Sequence, residues 1–189
     1  MSKALLTAPH SARFWGLMAV AAGLSFPGAS VADVLTVPGS ACTAINPAQS
    51  QQMEWRDYGV INRDPSRALF VTCPLTRNRG DFTDDQSRLG AAALVFNADD
   101  PGPPAKEISC RFKEFVGGNA VRGRTKNMDV ASMQQASMVI SDWVINDPEL
   151  SHFQFTCKLP PLTGVSALLS EIHGAEGSTI ERELLEAGL

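Results

Sequence analysis

His152-Phe153-Gln154-Phe155-Thr156-Cys157-Lys158-Leu159 is the stretch on which the fold turns. Phe153, Phe155, Cys157 and Leu159 fall on one side of an extended backbone, and His152, Gln154, Thr156 and Lys158 fall on the other. That period of two marks a strand with one buried and one wetted face. Ile108-Ser109-Cys110-Arg111-Phe112-Lys113 repeats the pattern with Ile108, Cys110 and Phe112 inward, and Leu69-Phe70-Val71-Thr72-Cys73 does so with Leu69, Val71 and Cys73. In all three the cysteine shares the apolar face. Weaker strands are read at Asp33–Val37, Tyr58–Ile61, Ala91–Phe96, Met138–Ile145 and Val165–Ile172. Turn formers separate them: Asn62–Ser66, Asn97–Pro104, Gly117–Asn119 and Asn146–Pro148. Many short strands without intervening long helices predict an all-β antiparallel sandwich, immunoglobulin-like or jelly-roll.

Two stretches read as helix. Asn46 precedes Pro47 as an N-cap would, for a short helix only. Ser178–Ala187 opens on a capping serine with early acid and a weak apolar stripe, so a tail over 174–189 is expected to be a short C-terminal helix or a frayed end. Ala120–Gln135 is polar and aperiodic, which leaves a long surface loop and an unrecognised strand as alternatives.

Residues 1–32 are a separate object. Lys3 and Arg13 precede the apolar run Phe14–Leu24, and Ser30-Val31-Ala32 places small residues where a signal peptidase reads. The reading is a secretory signal peptide cut between Ala32 and Asp33, followed by a β domain over 33–173. The apolar run is too short to span a bilayer, and no later stretch is long and apolar enough to do so. Lys3 and Arg13 are the leader's only charges. The mature chain is therefore two units more acidic than the formal net charge of -4 set by 16 basic and 20 acidic residues. With a pI near 5.3, nucleic acid is not an expected partner.

Export puts Cys42, Cys73, Cys110 and Cys157 where disulfides persist. No two are close enough in sequence for a zinc motif, and an even count leaves no spare nucleophile. Four cysteines allow three connectivities. Pairing of sequence neighbours, Cys42–Cys73 with Cys110–Cys157, is preferred, and spacing alone does not choose.

Chemistry-bearing residues are sparse. Beyond the leader there are two histidines: His152 on a wet strand face, and His173, which shares a strand face with Glu171 as a metal pair could. Two ligands fall short of a zinc site, no Gly-flanked serine elbow is present, and no metal or cofactor is expected. Asp81, Asp84, Asp85 and Asp99, Asp100 are read as solvated turn acids before calcium ligands, and Arg79-Gly80-Asp81 as a polar turn. Arg111, Lys113, Arg122, Arg124 and Lys126 flank the Gly117-Gly118 turn and form the candidate anion-binding patch.

Gly59-Val60-Ile61-Asn62, Val71-Thr72-Cys73-Pro74-Leu75-Thr76-Arg77, Ile108-Ser109-Cys110, Phe155-Thr156-Cys157-Lys158-Leu159-Pro160-Pro161 and Glu171 occur in that order. Over Ala41–Glu171 this resembles a group of uncharacterised bacterial secreted proteins with an N-terminal Cys, a Cys-Pro on a strand and a Cys-x-Leu-Pro near the end. The resemblance implies a small disulfide-linked β domain in the Gram-negative periplasm or outside the cell, and transfers no catalytic residue. The expected function is a secreted, non-catalytic binding or structural module whose partner is a glycan, an envelope component or a protein. A hydrolase of envelope or extracellular polymer is the first alternative, and an adhesin or assembly subunit with an unpaired edge strand is the second.

Overall fold

The alternation over 152–159 becomes the central strand of a five-stranded sheet. In the computed structural model, residues 34–75, 88–99, 105–145, 150–173 and 178–188 are described, apart from the side chain of residue 142. All lie in the unit Ala32–Leu189. The expected leader over 1–32, the acids Asp81, Asp84, Asp85 and Asp100, and Arg79-Gly80-Asp81 lie outside the described residues. The strands are β1 (Leu35–Pro38), β2 (Thr43–Ala44), β3 (Met53–Arg56), β4 (Gly59–Asn62), β5 (Leu69–Pro74), β6 (Arg88–Asn97), β7 (Lys106–Val116), β8 (Asn119–Val130), β9 (Gln135–Val144), β10 (Ser151–Leu159) and β11 (Thr163–His173); α1 (Thr179–Glu186) follows.

One sheet runs β2-β5-β10-β7-β8. The other runs β3-β4-β11-β6-β9, with β1 also paired to β11. Every pairing is antiparallel. From β4 onwards the chain changes sheet at each connection except the β7–β8 hairpin, which is jelly-roll winding. Of the two sandwich types expected, the structure is the jelly roll. The inner faces supply one core that includes Leu69, Val71, Ile108, Phe112, Phe153, Phe155 and Leu159 from the five-stranded sheet, and Val60, Val95, Ile140, Trp143, Val165 and Leu168 from the other. Phe112 anchors it, edge-on to Trp143 at 4.7 Å and stacked on Phe153 at 5.6 Å.

Cys42 is bonded to Cys73, and Cys110 to Cys157. Cys110 and Cys157 are direct cross-strand partners in β7 and β10, and all four cysteines are buried. The strand alternative is the correct one for 120–135: β8 occupies Asn119–Val130 and pairs with β7 along its length. The short helix after Asn46 is a 3-10 helix, Pro47–Gln52, whose first turn is capped by Asn46 Oδ1 accepting from the Ala48 amide at 3.0 Å.

α1 is docked, not frayed. Ile180 and Leu184 are buried against Ala92, Leu94, Val139 and Leu169 on the outer face of the six-stranded sheet. Glu171, buried in β11 beneath the helix start, accepts from the Ser178 hydroxyl and from the Ile180 amide at 3.1 Å. A carboxylate there satisfies orphan amide groups and complements the positive helix end. Gly90, opposite Glu171 in the register, makes the approach possible. A Cβ there would lie 2.7 Å from Ser178 Oγ and 2.8 Å from Glu171 Oε1.

Candidate functional site

The uncovered end of the same outer face holds a cleft of about 390 Å³ lined by Arg56, Tyr58, Phe96, Asn97, Ala98, Met133, Gln134 and Gln135. Three connections meet there: the β3–β4 turn, the segment after β6 and the β8–β9 turn. Phe96 points outward from β6 opposite Gly164 of β11. Its ring lies so close over Gly164 that a Cβ would come within 2.4 Å of Phe96 Cζ, so glycine is what lets the ring lie down. Tyr58, the chain's only tyrosine, meets Phe96 edge-to-face at 5.6 Å and remains about half exposed.

Polar groups fix this pair. Arg56 donates to both oxygens of Glu54, from Nε at 2.9 Å and Nη2 at 3.2 Å, and from Nη1 to the Tyr58 hydroxyl at 2.9 Å. The hydrogen bond to Glu54, and then that to Tyr58, hold the Arg56 guanidinium above its ordinary pKa. Arg63 also pairs with Glu54. Below the rings, buried Asn97 donates to the Val130 carbonyl at 3.1 Å and accepts from the Asp99 amide at 3.2 Å. The Asn97 amide donates to the Gln134 carbonyl at 3.0 Å. Gln135 donates to Ser166 Oγ at 3.0 Å.

Two turns around the cleft place bulky residues where glycine is usual. Met133 (φ 57°) is third in a turn closed by the Gln134 amide donating to the Ala131 carbonyl, and its side chain is 65% exposed at the rim. Leu162 (φ 59°) is third in the Pro160–Thr163 turn, and its carbonyl accepts from the Ala98 amide at 2.9 Å. Left-handed backbone at such residues costs on the order of 1 kcal/mol and persists where surrounding contacts over-determine it.

The residues singled out from sequence lie elsewhere. Arg111 and Lys113 point outward from β7, whereas Arg122, Arg124 and Lys126 are register partners of Glu114, Phe112 and Cys110 and so face the other side of the sheet. The structure thus divides the five cations between two faces. Arg122 donates from Nε at 2.5 Å to buried Glu114, which also accepts from Trp143 Nε1 at 3.0 Å and the Ser151 hydroxyl at 2.9 Å. The Arg122 and Arg124 guanidiniums lie 4.4 and 5.9 Å from the Trp143 ring centre. Asp99 is held by Lys106 at 2.7 Å. His152 is exposed and stacked on Phe115 at 4.9 Å. Glu171 and His173 are buried, and Glu171 serves the helix. Among the described residues no cluster of three metal-ligating side chains occurs. None of the cleft's rings or amides was selected from sequence; the chain's single tyrosine, at the start of the predicted strand Tyr58–Ile61, was the available signal.

No protein-family model matches the chain, and no curated protein matches it in sequence. Among solved structures, a xylan-binding module CBM15 is similar at TM-score 0.48 and 8% identity over 76% of this chain and 98% of that one. The C-terminal CBM6 of LamC, a laminarinase from Zobellia galactanivorans, is similar at TM-score 0.37 and 10% identity over 74% and 99%. TmCBM61 in complex with β-1,4-galactotriose is similar at TM-score 0.34 and 13% identity over 77% and 86%. At these scores the similarities carry no weight for function.

Proposed function

We propose that the domain is an exported, non-catalytic glycan-binding module and that the Tyr58–Phe96 cleft receives a neutral sugar ring. The observation that carries this reading is an aromatic pair, half-exposed Tyr58 on partly buried Phe96, locked by Arg56 and Gly164, at the edge of a concave surface supplied with amide groups. An aromatic face packs against the apolar C–H face of a sugar, while guanidinium and amide groups bond its hydroxyls. The cleft's volume falls within the range of small-ligand pockets. Among the described residues its lining supplies rings, amides and a guanidinium, and no carboxylate or imidazole. This favours binding over hydrolysis at this place. Two disulfides suit an oxidising compartment, and no helix among the described residues is long and apolar enough to cross a membrane.

Isothermal titration with soluble cello-, xylo- and manno-oligosaccharides tests the reading. At least one series is expected to bind, and Tyr58→Ala to weaken it by about tenfold or more, equivalent to ~1.4 kcal/mol. Binding that survives Tyr58→Ala and Phe96→Ala unchanged removes the cleft from the function. Mass spectrometry of exported protein beginning at Asp33 is the expected outcome for the leader.

A further inference from the structure

No described element covers the outer face of the five-stranded sheet, and its charge is sorted. The register sets Lys158 of β10 across from Ser109 of β7. Arg111 stands opposite Thr156 in the next row, Lys113 opposite Gln154 in the row after, and Phe115 opposite His152 at the end. These outward rows contain no acid; the acids of this face, Glu107 and Asp129, are paired beyond the Ser109 row. Of the described cations elsewhere, Arg56 and Arg63 are matched by Glu54, Lys106 by Asp99 and Arg122 by Glu114. Among the described residues Arg111, Lys113 and Lys158 have no ion-pair partner, in a chain whose net charge is -4. Successive outward residues on a strand stand ~7 Å apart and neighbouring strands ~5 Å apart, so the three cations form a file along β7 that ends at the stacked Phe115–His152 rings.

We propose that this face is a second binding surface, which holds a carboxylate-bearing (uronate) polysaccharide laid along β7. Each part matches one feature of such a chain. The Arg111 guanidinium offers a planar carboxylate two parallel donors, and Lys113 and Lys158 supply point charges on either side of it. Thr72 donates to Gln154 Oε1 at 3.1 Å, leaving that amide's N–H groups to meet hydroxyl or carboxylate oxygens. The ring pair gives a sugar an apolar plate. Three cations in single file fit one extended strand of a carboxylate-bearing polymer; a nucleic acid would call for a broader basic field than an acidic chain provides. The surface is on the sheet opposite the cleft and takes a different ligand class, so the two readings fail independently.

Affinity electrophoresis of the full chain in gels containing polygalacturonate, at low and high salt, tests the proposal. The protein is expected to be retarded at low salt and released as salt screens the pairing. Arg111→Ala/Lys113→Ala is expected to weaken retention by about tenfold or more, Lys158→Glu from the neighbouring strand to do the same, and Tyr58→Ala to leave it within about twofold. All changed side chains are at the surface, and thermal melts check that each variant is folded. No retardation by polygalacturonate, or retardation that the β7 and β10 variants leave unchanged, overturns the proposal. Equal retardation by polyglutamate, a sulfated glycan or a single-stranded oligonucleotide of matched charge overturns it too, because uronate recognition would then be absent.

Discussion

The two sheets are held by different means, and their outer faces differ accordingly. Both disulfides bond residues of the five-stranded sheet or its entry: Cys110 and Cys157 join β7 to β10, and Cys73 of β5 joins Cys42 just before β2. No described element covers that sheet, and its outer face carries polar and cationic side chains. The six-stranded sheet has no disulfide among its described residues. Small outward residues, Gly90 and Ala92, admit α1 onto one half of it. The other half, where Phe96 lies over Gly164, stays open as the cleft. Covalent staples free one surface, and a helix divides the other.

The sharpest way to break this contrast is to remove the staple. Replacing Cys110 and Cys157 together by serine is expected to cost about 4 kcal/mol in a denaturant titration, since the bond closes a 47-residue loop in the unfolded chain. A loss below ~1 kcal/mol would mean that the five-stranded sheet holds itself by packing. The next effect belongs to the helix. Ile180→Ala is expected to cost about 3 kcal/mol by emptying a buried site on the six-stranded sheet. Gly90→Ala should cost ~1–3 kcal/mol by pushing Ser178 and Glu171 away, with amide exchange accelerated in Thr179–Glu186 and unchanged in β7 and β10. Protection lost equally in both sheets would erase the distinction. The smallest effect is expected at the bare face: Arg111→Ala/Lys113→Ala should shift stability by no more than about 0.5 kcal/mol, because side chains at the surface without ion-pair partners contribute little to folding. A large loss there would assign those cations to the fold.

Much of the fold was legible because period two survives wherever both sheets overlap. Phe153, Phe155, Cys157 and Leu159 predict β10, and Ile108, Cys110 and Phe112 predict β7; all are buried. The pattern fails at β8 for a physical reason. β8 is an edge, and most of its inward positions, Arg122, Arg124 and Lys126 among them, escape full cover by the opposite sheet. Those charges also guard a long edge against pairing with another chain. Glu114 continues the inward row after Phe112, which the alternation alone reads as an error. It is tolerated because Arg122, Trp143 and Ser151 all donate to it. The cleft was not legible, since Tyr58 comes from the β3–β4 turn, Phe96 from the end of β6 and Met133 from the β8–β9 turn, and the strand registers bring them together. The basic patch failed as a sequence cluster because the hairpin register, invisible in composition, decides which of its five residues share a face.

The central claim is that the open half of the six-stranded sheet binds a neutral sugar while the bare face of the other sheet does not. A two-dimensional amide spectrum of the isotope-labelled protein, titrated with neutral oligosaccharide, reads both places at once. Shifts concentrated at Arg56–Tyr58, Phe96–Ala98 and Met133–Gln135, with Arg111 and Lys113 still, are the predicted result. Shifts centred on β7 and β10, or none at saturating sugar, would contradict it.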